Sequence, residues 1–239
     1  MKKIFILILN IVISFQAFGL TPYEAKYNLN AKTELGNFKI GTAKYRLLID
    51  DNDKFIFTSE AYTDPIWVSL YDYSRHEKST GSIINNQLTS VYYDLVEIEK
   101  GMVNHNYQFK VYPEKNHAII SGLEYNDFHE HFDIENNPIL DSLSVYLALA
   151  EDLIANPSQT EFVYQVAGKH GVEEQKFEFI GLENVTINGK NINTIKVSEP
   201  KKGITFNLAK DYNFMPAVIN RVNSDKKFRL TLTKFNKLN

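Results

Sequence analysis

The sequence predicts a mainly β protein: an antiparallel meander forming a strongly curved sheet or incomplete barrel, with one buried central helix over about 141–155. Three observations carry the prediction. Apolar and polar residues alternate with a period of two in segment after segment, the pattern of half-buried strands. The gaps between those segments hold turn-forming residues rather than helices, which implies hairpin connections instead of crossovers. One stretch near the middle breaks the period, and there apolar residues recur at helical spacing.

The chain opens on "MKKIFILILNIVISFQAFG", which has the three parts of a secretory leader. Lys2 and Lys3 form the charged part and Ile4 to Phe15 the apolar part. Ala17-Phe18-Gly19 offers small residues where a signal peptidase reads, so residues 1–19 are expected to be a signal peptide cleaved near Gly19. The apolar run is shorter than the roughly 18–20 residues that cross a bilayer, and Asn10 and Ser14 interrupt it. No integral membrane span is expected once the leader is gone.

Residues 20–239 read as one β-rich domain. Tyr23, Ala25, Tyr27 and Leu29 alternate with Glu24, Lys26 and Asn28, and the same rhythm recurs in "TAKYRLLID", "KFIFTSEAY", "LTSVYYDLVEIE", "NYQFKVY" and "HAIISGL". After the helical stretch it returns in "EFVYQVA", "QKFEFIG", "TIKVSE", "ITFNLA", "AVINRV" and "FRLTLTKF". With the strands in "RHEKST" and "NDFHEHFDI", about eight strands precede the helix and about six follow. Asp51-Asn52-Asp53, Asn85-Asn86, Pro113-Glu114-Lys115-Asn116 and Gly168-Lys169-His170-Gly171 supply turns. In "VTINGKNINTIKV", Asn188-Gly189 suit the positive φ angles of a two-residue hairpin. Whether the strands make one curved sheet or two packed ones is open from the sequence.

In "NNPILDSLSVYLALAEDLIANPS", Leu143, Tyr146, Leu147, Ala150, Leu153 and Ile154 share a helical face, and Val145 and Leu149 widen it. Asp141 or Ser142 can cap the start, and Asn156-Pro157 ends it. A helix this apolar is buried, and the concave face of a bent sheet is the place for it. In "TDPIWVSLYDYSRHEKST", Pro65 excludes a central strand, and Ile66, Trp67, Leu70 and Tyr71 suit one helical turn over the sheet's edge or open end.

Composition narrows the function. The net charge of −3 becomes −5 when Lys2 and Lys3 leave, a balance that argues against a nucleic-acid partner, which needs clustered Lys and Arg. The chain has no cysteine, so neither disulfides nor attachment of lipid through cysteine can occur. The mature length is enough to bury a core without disulfides.

Two constellations could carry chemistry. In "NDFHEHFDI", Asp127, His129, His131 and Asp133 share one strand face, with Phe128, Glu130, Phe132 and Ile134 on the other. His129 and His131 could hold zinc if a third ligand converged, with His105, His117 and His170 as candidates, or they could be the wet face of a strand. If the other face is buried, Glu130 needs a partner such as Arg75. In "RHEKST", Arg75, Glu77 and Ser79 share one face and His76, Lys78 and Thr80 the other. Charge on both faces implies either an edge strand or a face looking into a polar cleft. Arg75, Glu77, Ser79 and Trp67 are the candidate ligand-binding residues, since a guanidinium fork binds carboxylate, phosphate or sugar hydroxyls. Glu97 with Glu99 reads as ordinary solvated charge unless a cleft gathers it. No nucleotide, hydrolase or metalloprotease motif is present, so no catalytic residue is assigned and no cofactor is expected.

Five segments in order, "YEAKYNLNAKTELGNFKIGTAKYRL", "YDYSRHEKSTGSIINNQLTSVYYD", "PILDSLSVYLALAEDL", "FEFIGLENVTINGKNINTIKVSEP" and "FNLAKDYNFMPAVINRV", resemble the exported bacterial proteins of domain-of-unknown-function family 3108. The resemblance covers roughly Tyr23 to Phe235. The positions that match are Gly41, Arg75, Ser79, Asp141, Ser144, Gly189 and Pro216. It implies an envelope location and a β-rich fold, with no established reaction. The expectation is a periplasmic protein that binds or scaffolds an envelope lipid, glycan or protein. The alternatives are a metal-dependent hydrolase built on His129 and His131, or a structural subunit of an envelope complex.

Overall fold

The computed structural model describes residues 19–238 apart from 34–35, 71, 85–86, 113–116, 123–124, 132–137, 169–170 and 224–225, and gives only the backbone of 33, 125–131, 223 and 226. The sequence alternations become strands β1 (Tyr23–Thr33), β2 (Gly36–Ile49), β3 (Lys54–Thr63), β4 (Tyr73–Ile84), β5 (Gln87–Glu99), β6 (Met102–Tyr112), β7 (His117–Gly122), β8 (Tyr125–His131) and β9 (Ile139–Asp141). Helix α1 (Val145–Ala155) follows. The chain then completes β10 (Glu161–Gly168), β11 (Gly171–Ile187), β12 (Lys190–Glu199), β13 (Ile204–Ala209), β14 (Met215–Asn223) and β15 (Lys226–Lys237).

All fifteen strands belong to one sheet, in the order β8-β7-β6-β5-β4-β3-β2-β1-β15-β14-β13-β12-β11-β10-β9. The first and last strands meet in its middle, with Tyr23 opposite Lys237, while β8 and β9, neighbours in sequence, lie at its two ends. One pair departs from the antiparallel plan: β9 runs parallel to β10. The cause is α1, which connects the two strands and returns the chain to its starting side, as a parallel pair requires.

The turns behave as their residues dictate. Asp50 Oδ1 accepts the N–H groups of Asn52 and Lys54, both at 2.9 Å, and closes the β2–β3 turn. Asn188 and Gly189 have φ of 50° and 76°, the two positive values of a type I′ hairpin between β11 and β12. The expected turns at Asn85-Asn86, at Pro113 to Asn116 and at Lys169-His170 lie outside the described residues, as does the leader up to Phe18.

The sheet curls around α1. Leu47, Phe55, Phe57, Tyr93 and Phe109 from one half and Phe162, Phe177 and Phe206 from the other share a core with Leu143, Val145, Leu147, Leu149 and Leu153. The Tyr146 ring packs against Phe206 with centroids 5.1 Å apart. Each buried aliphatic side chain contributes about 1.5–3 kcal/mol of gross burial free energy. The helix is therefore a main reason for the sheet to bend rather than lie open. Its helical hydrogen bonding starts later than the predicted 141, because Asp141 ends a strand and the next three residues form a turn.

Candidate functional site

The charged strand β4 is interior, between β3 and β5. Its outer face shows His76 and Lys78 to solvent, and its inner face turns Arg75, Glu77 and Ser79 toward the concavity. The strand is therefore not an edge, and its inward charges are met by partners on neighbouring strands rather than by an open cleft. Cross-strand register puts Arg75 opposite Glu97 of β5 and Ser59 opposite Glu77.

Arg75 bridges two carboxylates. Its Nη1 donates to Glu97 Oε2 at 2.7 Å and its Nη2 to Glu77 Oε1 at 2.9 Å. Tyr93 Oη donates to Glu77 at 2.6 Å, and Tyr73 Oη and Asn104 Nδ2 donate to Glu97 at 3.0 and 3.1 Å. The Arg75 side chain keeps 24 % of its exposure, Glu97 11 % and Glu77 8 %. Burial opposes ionisation of Glu77 and Glu97, but the guanidinium and the hydrogen bonds outweigh it and hold both below the usual carboxylate range. Burial pushes the nearby Tyr45 hydroxyl up to about 12, with the Glu77 charge adding to the effect. The trio carries one net negative charge. Its guanidinium is already engaged by two carboxylates, so an incoming anion must compete with them.

Glu97 is the member of this cluster that sequence reasoning set aside. A signal was present: in "YDLVEIE" it shares a face with Tyr93 and Leu95, both buried. The suggested partner Glu130 has its side chain outside the described residues, although its backbone stands opposite the buried Ala118.

Ser79 belongs to a second cluster. The Oγ atoms of Ser79 and Ser90 each donate to Asp141 Oδ2 at 2.5 Å. Asp141 Oδ1 accepts the N–H groups of Leu143 and Ser144 at 2.8 Å, and the Asp141 N–H donates to Ser144 Oγ at 2.9 Å. All four side chains are fully buried. Burial pushes the Asp141 carboxyl up, against the pull of four donors. Since β9 is one end of the sheet and β4 and β5 belong to its other half, the cluster is a clasp that holds the curl. Three matched positions, Ser79, Asp141 and Ser144, meet here.

The other nominated residues are dispersed. Trp67 sits in a 3₁₀ turn, Pro65–Trp67, as the single helical turn expected there. It packs against Leu29, Ala31 and Ile40 in a separate cluster and faces Phe38 at a ring distance of 6.0 Å. Gly41 admits β3 closely: a Cβ there would lie 2.2 Å from the Tyr62 carbonyl oxygen. The Pro216 carbonyl accepts the Tyr27 hydroxyl at 2.8 Å. Among the described residues no group of three metal-ligating side chains occurs, and the side chains of His129 and His131 lie outside them. Their backbones pair with Ile119 and His117, on the face opposite to that of the buried Ala118 and Ile120.

The concavity is packed. A cavity of about 20 Å³ lies between α1, β1 and the chain around Phe214 and Met215, space for roughly one water. A curled sheet packed around a helix is the architecture of a β-barrel-like protein. No protein-family model matches the chain, and no curated protein does. Among solved structures it is similar to the crystal structure of a beta-barrel-like protein of domain of unknown function DUF1849 from Brucella abortus. The TM-score is 0.55 at 12 % identity, over 93 % of this chain and 100 % of that one. The likeness is one of fold.

Proposed function

We propose that the chain is an exported, non-catalytic binding protein of the cell envelope, of the family 3108 kind, that meets a lipid surface with one end of its sheet. The observation that carries the reading is an apolar tip. The loop after β3 and the β5–β6 turn are held side by side by the Lys100 N–H donating to the Asp72 carbonyl at 2.7 Å. Together they expose Ile66 (81 %), Leu70 (66 %) and Met102 (69 %). Exposed aliphatic side chains gathered on adjoining loops are costly in water and suited to a headgroup–acyl boundary. The packed concavity supports contact at the rim rather than uptake of a large ligand. Trp67, anchored behind the tip, would stiffen it.

The test is co-sedimentation with phosphatidylethanolamine–phosphatidylglycerol vesicles. Wild type is expected to sediment with them, and Ile66→Asp combined with Leu70→Asp to stay in the supernatant with its thermal midpoint unchanged. Wild-type protein that remains soluble in the presence of vesicles would sink the reading.

A metal-dependent hydrolase is favoured by one register observation: His117 stands opposite His131, with His129 two positions along on the same face. It predicts stoichiometric zinc after purification without chelator, and a metal content below a tenth of that amount would count decisively against it.

A further inference from the structure

Glu151 of α1 holds a segment far away in sequence by its main chain. Leu20 N–H donates to Oε1 at 2.6 Å and Gly19 N–H to Oε2 at 3.3 Å. The Leu20 side chain is 6 % exposed, sunk beside Leu147 and Ala150 of the helix. Gly19 fits because a Cβ there would come within 2.7 Å of Ile154 Cγ2. Asn213 Nδ2 donates to Thr21 Oγ1 at 2.5 Å. Side chain, main chain and shape thus all seat this segment. Yet the half-buried carboxylate that receives it is paired with no Lys, Arg or His among the described residues, and Asp152 adds a second negative charge beside it.

The seat coincides with the expected cleavage position, since Ala17 and Gly19 stand third and first before Leu20. We propose that Glu151 is the receptor for the α-ammonium group of Leu20 created when the leader is cut after Gly19, so that maturation supplies the missing cation and locks α1 in place. The inference rests on the proposed export. In the step, water cleaves the Gly19–Leu20 peptide bond. Gly19 leaves as a carboxylate with the leader, and the Leu20 amine takes up a proton. The atom that already lies 2.6 Å from Oε1 becomes a full positive charge, which turns a hydrogen bond from a neutral donor to a carboxylate into an ion pair.

The pH sense follows. An α-amine titrates near about 8 when free, and a carboxylate partner raises it in the folded state. Its contribution is present in full below the free value and is lost as pH rises through the folded one. The other titratable groups around the seat are Asp152, whose carboxylate accepts the Tyr164 hydroxyl at 2.6 Å, and Tyr23, Tyr27, Tyr45 and Tyr146. Burial pushes all five tyrosines up, so none titrates in this window.

The experiment is to produce the full chain with its own leader, determine the N-terminus by intact mass, and melt wild type and Glu151→Gln at pH 6 and pH 10. The expected product begins at Leu20. Glu151→Gln should lower the midpoint by about 2–6 °C at pH 6, with the gap closing at pH 10. A chain still beginning at Met1 overturns both export and this inference. An exported chain cut elsewhere, or a gap equal at both pH values, overturns this inference alone. If Glu151→Gln does not accumulate, acetylation of the wild-type Leu20 amine at pH 7 decides the matter: roughly tenfold protection relative to a peptide amine is expected, one pKa unit's worth, and equal reactivity overturns the pairing.

Discussion

Replacing Asp141 by alanine removes the acceptor for four donors at once: two serine hydroxyls and two backbone N–H groups. Each donor left unsatisfied in a dry site costs about 1–3 kcal/mol, and small relaxations bring these toward the low end. Four at about 1 kcal/mol make about 4, from which relief of the buried carboxylate's desolvation takes back about 1. The net loss is about 3 kcal/mol, or a fall in the thermal midpoint of about 6–12 °C for a chain of this size. Calorimetry at pH 7 reads it, with the urea midpoint as a second measure. Removing the donors as well, through Ser79→Ala and Ser90→Ala in the Asp141→Ala background, should recover part of the loss, because the orphaned hydroxyls go. An Asp141→Ala protein within about 0.5 kcal/mol of wild type, the range of ordinary surface substitutions, would refute the claim that this clasp holds the curl.

The Arg75 trio gives a pH prediction with a definite sign. Glu77 and Glu97 are held below their free values, so their contribution is present above about pH 4.3 and is lost as pH falls through the folded values. Arg75→Met leaves two buried carboxylates without their cation and should cost about 2–4 kcal/mol at pH 7, with the loss shrinking toward pH 4, as melting curves across that range would show. Gly41→Ala, whose new methyl meets the Tyr62 carbonyl oxygen, should cost more than about 3 kcal/mol in urea unfolding. Gly189→Ala meets nothing and pays only for its positive φ, about 1 kcal/mol.

Sequence reasoning reached the features that local periodicity controls. The strands follow from alternation, α1 from Leu143, Leu147, Leu153 and their neighbours at helical spacing, and the β11–β12 hairpin from Asn188-Gly189. It missed β9, because three residues are too few to show a period and Ile139-Leu140-Asp141 reads equally well as the approach to a helix. With β9 went the parallel pair. Arg75 and Glu77 were visible as charges on one face of a strand. The alternation in "YDLVEIE" put Glu97 on the face of Tyr93 and Leu95, but its pairing with Arg75 was not legible, because only the register between β4 and β5 sets it and register depends on long-range packing. Asp141 was taken as a helix cap, and one of its oxygens does satisfy early N–H groups. The other binds Ser79 and Ser90, brought near by the curl of the whole sheet.

The strand order also bears on how the chain reaches this state. Apart from β1–β15, every antiparallel pair joins consecutive strands, so each half can zip locally by short loops at small entropic cost. The β1–β15 seam alone joins the two extremities, Tyr23 with Lys237. During synthesis the outer edge of β1 therefore waits for the last strand to be made. Until β15 has been made the two meanders are unjoined and β1 keeps one edge unpaired, and the seam that closes them is the antiparallel pairing of greatest sequence separation.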